Sequence, residues 1–286
     1  MKKYLFFLII IIEILLLTVP AMSATEDIEM VNHPVNSWGL TGLLFTTMPY
    51  TLDPGQVEVG AAVLSENSVL PDYTLTEYPL TVTTGIAPHS ELALRCSYFN
   101  LKEGPTVTTP IQRRAGNIQL TYKWNFLYQE EGSPNPAISL ILTGIVPVET
   151  DSDTRINDAH YWGMRVGLSA GSEISWKEHI LGIYGDIQLA SSDPTNKRLR
   201  DIYEIANAGL LFPISKYRNL QMFIEYNIVH GQDNITFEGG DYSAITYGLR
   251  VVNERLNVTL GTQLLRKKVE GYDNSDKVIG LLSIKF

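Results

Sequence analysis

The sequence predicts an all-β protein, a transmembrane antiparallel up-and-down β-barrel of about 12 strands. From residue 55 onward, segments of roughly ten residues alternate apolar with polar or small side chains. The connections between these segments are alternately short and long. The alternation continues to the last residue, Phe286, where a soluble domain usually has a frayed polar end. Together these observations favour strands that present one face to lipid.

The first residues are predicted to be a signal peptide over residues 1–24. Lys2 and Lys3 precede an apolar run over residues 5–19, and small residues follow in "PAMSAT" at the spacing that a signal peptidase prefers. A retained membrane anchor is the alternative, but a spanning helix needs roughly 20 apolar residues. The run is shorter and contains Glu13.

Charge and cysteine content limit the function classes. Without residues 1–24, 20 basic and 30 acidic residues remain, which disfavours nucleic-acid binding because such binding needs cationic contacts to phosphates. Cys96 is the single cysteine, so no internal disulfide can form. We therefore predict export to the outer membrane of a Gram-negative bacterium, with outer-membrane lipid and the barrel-assembly machinery as partners and without a cofactor.

Period-two alternation defines each strand of the predicted barrel over residues 55–286. In "NIQLTYKWNFL", for example, every second residue is apolar. The predicted strands lie at residues 55–64, 76–87, 91–100, 116–128, 137–147, 161–170, 179–189, 203–213, 219–229, 241–251, 256–266 and 277–286. An even strand number returns both chain ends to the periplasmic side, and closure leaves no unpaired edge in lipid.

The connections carry a second regularity. Short ones such as "APHS" and "NER" alternate without exception with longer polar ones such as "SENSVLPDYTL" and "VETDSDTRINDAH". Short periplasmic turns and longer external loops are typical of outer-membrane barrels.

The last strand resembles the C-terminal assembly signal of bacterial outer-membrane barrels. Leu282, Ile284 and Phe286 share one face, which the pattern predicts to be the lipid face, with Phe286 at the periplasmic rim.

The polar face of each strand gives the candidate pore-lining residues. The predicted luminal side chains are Glu58, Glu91, Arg95, Lys123, Arg165, Asp186, Glu204, Glu225, Arg250 and Lys285. Their balanced charges could orient a polar solute in a narrow pore, or form a salt-bridge network that fills the lumen. Small residues at Gly163, Gly167, Ser169, Gly182, Gly248 and Gly261 are predicted to leave room inside.

Residues 25–54 have a different texture, with a Gly-rich apolar stretch and a "DPG" turn. Two placements stay open: a segment inside the periplasmic mouth of the barrel, or an additional strand. In the mouth, this segment would regulate passage.

Evidence for enzymatic chemistry is weak. His160 and His230 lie at the start of long external segments, with Ser243 and Ser191 as candidate nucleophiles, but no sequence motif joins them. The acidic loop "DSDTRIND" lacks the glycine and closing Glu of a calcium-binding EF-hand loop. We predict neither a catalytic site nor a metal site.

Two stretches resemble known families. "GLTGLLFTTMPYTLDPGQVEVGAAV" resembles the opening segment of YjbH-like outer-membrane proteins. "TTGIAPHSELAL" and "YKWNFLYQEEGSPNPAISLILTGIVPV" resemble strand–turn–strand units of transporters in the meta-pathway phenol-degradation group. These resemblances imply a barrel at the cell surface that acts in solute uptake or polysaccharide export.

Taken together, the sequence predicts a narrow channel for passive passage of small polar or aromatic solutes. The alternative is a non-conducting structural, surface-binding or polysaccharide-associated envelope barrel whose lumen is filled.

Overall fold

A computed structural model describes residues 33–68, 72–103, 111–129, 135–148, 161–176, 179–194, 202–214, 219–230, 241–267 and 274–286. The chain divides into two compact units, Met1–Val31 and Asn32–Phe286. The predicted signal peptide lies outside the described residues. Among these residues, no helix is long and apolar enough to cross a membrane.

Twelve strands follow one another along the second unit. They are β1 (Val57–Ser68), β2 (Tyr73–Ala87), β3 (Ser90–Glu103), β4 (Ile111–Leu127), β5 (Ala137–Val146), β6 (Tyr161–Trp176), β7 (His179–Pro194), β8 (Ile202–Pro213), β9 (Leu220–His230), β10 (Tyr242–Val252), β11 (Leu256–Lys267) and β12 (Ser275–Lys285).

Each strand pairs antiparallel with the next one along the chain, and β1 pairs with β12, so the sheet is a closed barrel. The closing pair runs in continuous register from Glu58 opposite Lys285 to Asn67 opposite Asp276. Closure satisfies the backbone groups of every strand without an exposed edge, as a membrane interior requires. The prediction of an all-β, antiparallel up-and-down barrel is confirmed.

The outer surface of the barrel is apolar because alternate residues of every strand point outward. One large exposed apolar residue from each strand, in chain order, is Val63, Leu80, Leu94, Leu120, Leu142, Leu168, Leu189, Ile202, Ile224, Tyr247, Leu264 and Leu282. An apolar band around a closed barrel is the surface that an outer-membrane barrel presents to lipid. Polar and charged residues alternate with this band on the buried face.

Connections fall into two groups, one at each end of the barrel. The end that carries Val57 and Phe286, here called the turn end, has the connections 88–89, 128–136, 177–178, 214–219 and 253–255. The opposite end, here called the loop end, has the connections 69–72, 104–110, 147–160, 195–201, 231–241 and 268–274.

The predicted strict alternation of short and long connections is wrong around β4, where the loop-end connection 104–110 is shorter than the turn-end connection 128–136 that follows it. The β1–β2 region departs from the prediction as well. The predicted long loop "SENSVLPDYTL" is mostly strand, with Glu66 paired to Leu75 and Ser68 to Tyr73. The β1–β2 connection (69–72) is therefore shorter than the turn-end connection 128–136. The polar sequence indicates where β1 and β2 extend past the apolar band, but the two strands remain hydrogen-bonded to each other beyond that point.

Candidate functional site: the lumen and its N-terminal segment

Residues 33–56, here called the luminal segment, fold back on themselves before β1 begins. The amide of Asn36 donates to the carbonyl of Leu40 (2.7 Å), which closes a first turn. Residues 41–48 form a tight hairpin, in which the Met48 amide donates to the Thr41 carbonyl (3.0 Å). These turns satisfy part of the backbone locally, and the remaining groups need partners from elsewhere.

Glu225 of β9 supplies partners at the tip of that hairpin. The amides of Leu44, Phe45 and Thr46 donate to its carboxylate at 3.3, 3.0 and 2.6 Å. Three consecutive amides aimed at one carboxylate form an anion-binding concavity made of main chain. The side chain of Glu225 is 1 % exposed, so these bonds replace its water.

Three more inward-facing carboxylates bind amides of the luminal segment in the same way. The corresponding bonds are Val35 to Glu58 (3.2 Å), Thr41 and Leu52 to Glu91 (both 3.1 Å), and Thr47 to Asp186 (2.8 Å). Seven backbone amides are thus bound by four carboxylates that lie on β1, β3, β7 and β9. The inward-facing carboxylates of the barrel wall therefore bind the luminal segment through its backbone rather than through its side chains.

Luminal cations bind the carbonyls of the same segment. Arg95 donates to the Ser37 carbonyl (3.0 Å), Lys123 to the Met48 carbonyl (3.1 Å) and Arg250 to the Gly42 carbonyl (2.9 Å). The inward charged residues inferred from the sequence thus divide by sign: the acidic residues bind backbone amides of the luminal segment, and the basic residues bind its backbone carbonyls.

Lys123 and Glu91 also form a direct ion pair, with the Lys123 Nζ 2.7 Å from Glu91 Oε1. Both side chains are 0 % exposed. A buried pair is favourable only where further hydrogen bonds satisfy both ions. Here the luminal segment supplies them, because the Thr41 hydroxyl and the Met48 carbonyl complete the shell around Lys123.

Three of the small residues of the wall do not leave open space. A Cβ at Gly182 would lie 2.3 Å from the Tyr184 hydroxyl, and one at Gly261 would lie 2.5 Å from Leu44 Cδ1. Gly248 faces Phe223 in the same way. The prediction that small residues leave room inside is wrong at these three glycines in the described conformation, because each accommodates a large side chain of the wall or of the luminal segment.

Arg165 and Trp38 lie farther toward the loop end. The Trp38 ring has the guanidinium carbons of Arg95 and Arg165 at 4.9 Å from its centroid, which is cation–π distance. Arg95 is paired with Glu77 of β2, whereas Arg165 donates to the amide oxygen of Gln119.

Of the ten charged residues predicted on the luminal face, Glu204 is misplaced. The buried residues of β8 are odd-numbered, beginning at Tyr203 and Ile205, and Glu204 is exposed. Glu204 lies opposite His230 near the loop end of β8 and β9. Polarity does not indicate the lumen there, because the inward side chains at this level, Tyr203 and Ile205, belong to a buried apolar cluster.

His33 and Tyr50 of the luminal segment stack at the turn end, with ring centroids 4.7 Å apart. His33 Nε2 lies 2.5 Å from Glu173 Oε1 of β6. Burial lowers the pKa of His33, and the Glu173 carboxylate opposes this shift only in part. Burial and the same carboxylate raise the pKa of Tyr50. Both rings are therefore neutral near pH 7.

The candidate hydrolase residues are not assembled within the described part of the chain. His230 Nδ1 contacts Asp241 (2.7 Å), and no hydrogen bond joins it to Ser243 or Ser191. His160 and the acidic loop "DSDTRIND" lie outside the described residues. Among the described residues, no cluster of His, Cys, Asp or Glu could hold a metal ion.

Sequence analysis missed the backbone of the luminal segment as a functional group. Glu225 and the amides it binds are about 180 residues apart in the chain, with a separation of 180 for Phe45. The available signal was the set of inward charged residues together with a preceding segment rich in Gly and turn residues.

Comparison with known proteins identifies a shared fold but no protein family. No family model matches the chain, and no curated protein matches its sequence. Among solved structures, the COG4313 outer membrane channel from Pseudomonas putida F1 is similar, with a TM-score of 0.61 and 11% identity over 83% of this chain and 98% of that one.

Two further solved structures share the barrel. LpxR from Salmonella typhimurium matches with a TM-score of 0.52 and 11% identity over 80% of this chain and 99% of that one. The β domain of the Bordetella autotransporter BrkA matches with a TM-score of 0.50 and 11% identity over 82% and 100%. At such identities the likeness establishes an outer-membrane-type barrel fold. The resemblance to YjbH-like proteins inferred from the sequence is not confirmed by these comparisons.

Proposed function

We propose that this protein is a narrow outer-membrane channel for passive passage of small solutes, and that the luminal segment gates it. The observation that carries the proposal is that barrel side chains bind this segment through its main chain, at seven amides and three carbonyls. Release of the segment would leave charged and amide groups that water can solvate.

A polar ladder on the inner wall beyond the segment supports a path that water could fill once the segment is released. Asn227 accepts from Thr246 (2.9 Å) and Gln263 (3.1 Å) and donates to Asn207 (3.0 Å), forming an amide ladder across β8–β11. Asn207 donates in turn to Asp186. A lumen lined by such groups is the hydrophilic interior expected of a channel barrel.

The segment lies toward the turn end of this path. Glu58 and Glu91 are the second residues of β1 and β3, and Arg250 is near the end of β10. Glu225 and Asp186 are near mid-strand. A displacement of the segment toward the turn end would therefore open the lumen without breaking any strand pair.

Single-channel recording tests the gate. Glu225→Gln leaves one acceptor oxygen for three amides and turns an amide donor toward them. Charge-assisted hydrogen bonds contribute roughly 1.5–3 kcal/mol, so we expect the open fraction of the refolded variant to rise about tenfold or more. Glu204→Gln makes the same change on an exposed residue and should match the wild type.

The second candidate is a non-conducting envelope barrel, and the filled turn-end half of the lumen favours it. Folded wild type and Glu225→Gln protein would then both be silent in a planar bilayer. Steady openings that increase in Glu225→Gln alone would exclude this candidate.

A further inference from the structure

Arg165 is a buried cation without an ion-pair partner among the described residues, and the Asp186 carboxylate interacts with it only at longer range. Its side chain donates to Gln119 and lies against the Trp38 ring. Its Nε has no hydrogen-bond partner among the described residues, and no carboxylate of those residues lies within ion-pair distance of it. Arg165 is 7 % exposed, so water solvates it poorly.

Neighbouring luminal cations are arranged differently. Arg95 pairs with Glu77, and Lys123 pairs with Glu91. Arg250 has no carboxylate partner either, but it donates to the Gly42 carbonyl and so contributes to binding the luminal segment. A buried charge without an ion-pair partner is costly. Arg165 contacts the luminal segment at the Trp38 ring rather than through a main-chain carbonyl.

Asn117 lies on β4, the strand that carries Gln119, the hydrogen-bond partner of Arg165. It is the next inward-facing residue of β4 toward the loop end from Gln119, about 6.6 Å away at the usual strand rise. Asn117 is 3 % exposed, and neither its amide nitrogen nor its amide oxygen has a hydrogen-bond partner among the described residues. Arg165 and Asn117, both buried in the loop-end part of the wall, therefore each keep a donor unused.

We propose that Arg165 and Asn117 form a subsite for the carboxylate of a small monoanionic solute that arrives from the loop end. This inference rests on the proposed channel function and specifies its solute class. The Arg165 Nε–H would donate a charge-assisted hydrogen bond to one carboxylate oxygen, and the Asn117 amide N–H would donate to the other. One positive charge without an ion-pair partner matches one carboxylate.

The half-buried ring of Trp38 supplies an apolar surface next to the subsite. The apolar body of the solute would contact this ring. Because Trp38 belongs to the luminal segment, a bound solute and the gate would share a surface.

Benzoate and benzamide are suitable probes because they share one shape and differ in charge. Isothermal titration of the detergent-folded full chain should show benzoate binding at least about tenfold tighter than benzamide. Arg165→Gln should weaken benzoate binding by about tenfold or more, and Asn117→Ala by a smaller factor. Arg266→Gln removes an exposed arginine of β11 and should leave binding unchanged.

Folding of each variant is checked by heat-modifiable migration, and the stability of Arg165→Gln gives an independent readout. Without ligand, removal of a buried charge that has no ion-pair partner should leave the midpoint of urea unfolding unchanged or raised. Equal binding of benzoate by wild type and Arg165→Gln, or equal binding of benzoate and benzamide, would overturn the subsite. So would a wild type that binds no benzoate.

Conductance of the same preparations separates this inference from the channel proposal. A wild type that conducts but lacks benzoate selectivity refutes the subsite and leaves the channel standing. A silent wild type that binds benzoate through Arg165 refutes the channel and leaves the subsite standing as a binding site.

Discussion

At the scale of single residues, glycines in the wall determine which large side chains share the lumen. Gly248 and Gly261 are paired across β10 and β11, and both adjoin the Phe223 ring. A Cβ at Gly248 would lie 2.2 Å from the Leu260 carbonyl oxygen and 2.5 Å from Phe223 Cζ. The carbonyl belongs to the strand backbone, which cannot move aside without disturbing the ladder.

We therefore expect Gly248→Ala to destabilise the barrel by about 1–3 kcal/mol, the usual cost of overpacking. Gly144→Ala is the matched control, because nothing lies within 4 Å of a Cβ added there. Urea unfolding in detergent micelles measures both. Equal midpoints for the two variants would contradict the close packing around Gly248.

Side-chain direction was predictable at this scale, and side-chain partners were not. The two-residue period places Lys123 and Glu225 on the inner face, because a strand turns successive side chains to opposite sides. Their partners are backbone groups of a distant segment, which carry no sequence signature. The polar pattern failed to assign Glu204 because the inward residues of β8 at that height, Tyr203 and Ile205, are apolar and pack in a cluster.

At the scale of elements, a polar cluster joins the strands on both sides of the closing pair. Glu66 of β1 accepts from Tyr73 (2.6 Å), Ser275 (2.8 Å) and Lys267 (2.8 Å). Lys277 lies 3.4 Å from its second oxygen. One buried carboxylate near the loop end therefore connects β1, β2, β11 and β12.

Glu66→Gln should destabilise the protein by roughly 3 kcal/mol, because it removes a buried carboxylate that is bound by Lys267 and Lys277. Glu204→Gln provides the control at an exposed acid. Urea unfolding gives the magnitude, and hydrogen exchange should localise the loss of protection to the loop-end residues of β1 and β12. Uniform loss of protection around the barrel would contradict this assignment.

At the scale of the whole molecule, the two ends of the barrel sequence bind each other. The Phe286 amide donates to the Val57 carbonyl (2.8 Å), and the Val57 amide donates to the Phe286 carbonyl (3.2 Å). The Phe286 side chain is 74 % exposed and points outward at the turn end. Its backbone closes the barrel, whereas its ring contributes little to packing.

Phe286→Ala should therefore change the unfolding free energy of refolded protein by less than about 0.5 kcal/mol. If the C-terminal pattern is the assembly signal that the sequence predicts, the same variant should reach the outer membrane in markedly lower amount. Tyr128→Ala, another exposed turn-end aromatic, is the control. Normal assembly of Phe286→Ala in cells would contradict the assembly role of Phe286.

The number of strands, and which face of each strand points outward, could be predicted from the sequence because the alternation of apolar and polar residues persists over the whole barrel. Strand ends were less accessible. The region between β1 and β2 contains polar residues such as Glu66 that are still paired, so loss of apolar alternation came before the end of the strand. The residues that occupy the lumen could not be predicted from the sequence, since their positions depend on contacts between segments that are far apart in the chain.

Main-chain recognition also determines how the luminal segment tolerates substitution. Phe45 presents its amide to Glu225 and keeps its ring half-buried, so many side chains at this position preserve the bond. Proline is the exception, because it has no amide hydrogen to donate. Homologous chains could therefore vary the hairpin tip freely, provided that proline is avoided there and an acid persists on β9.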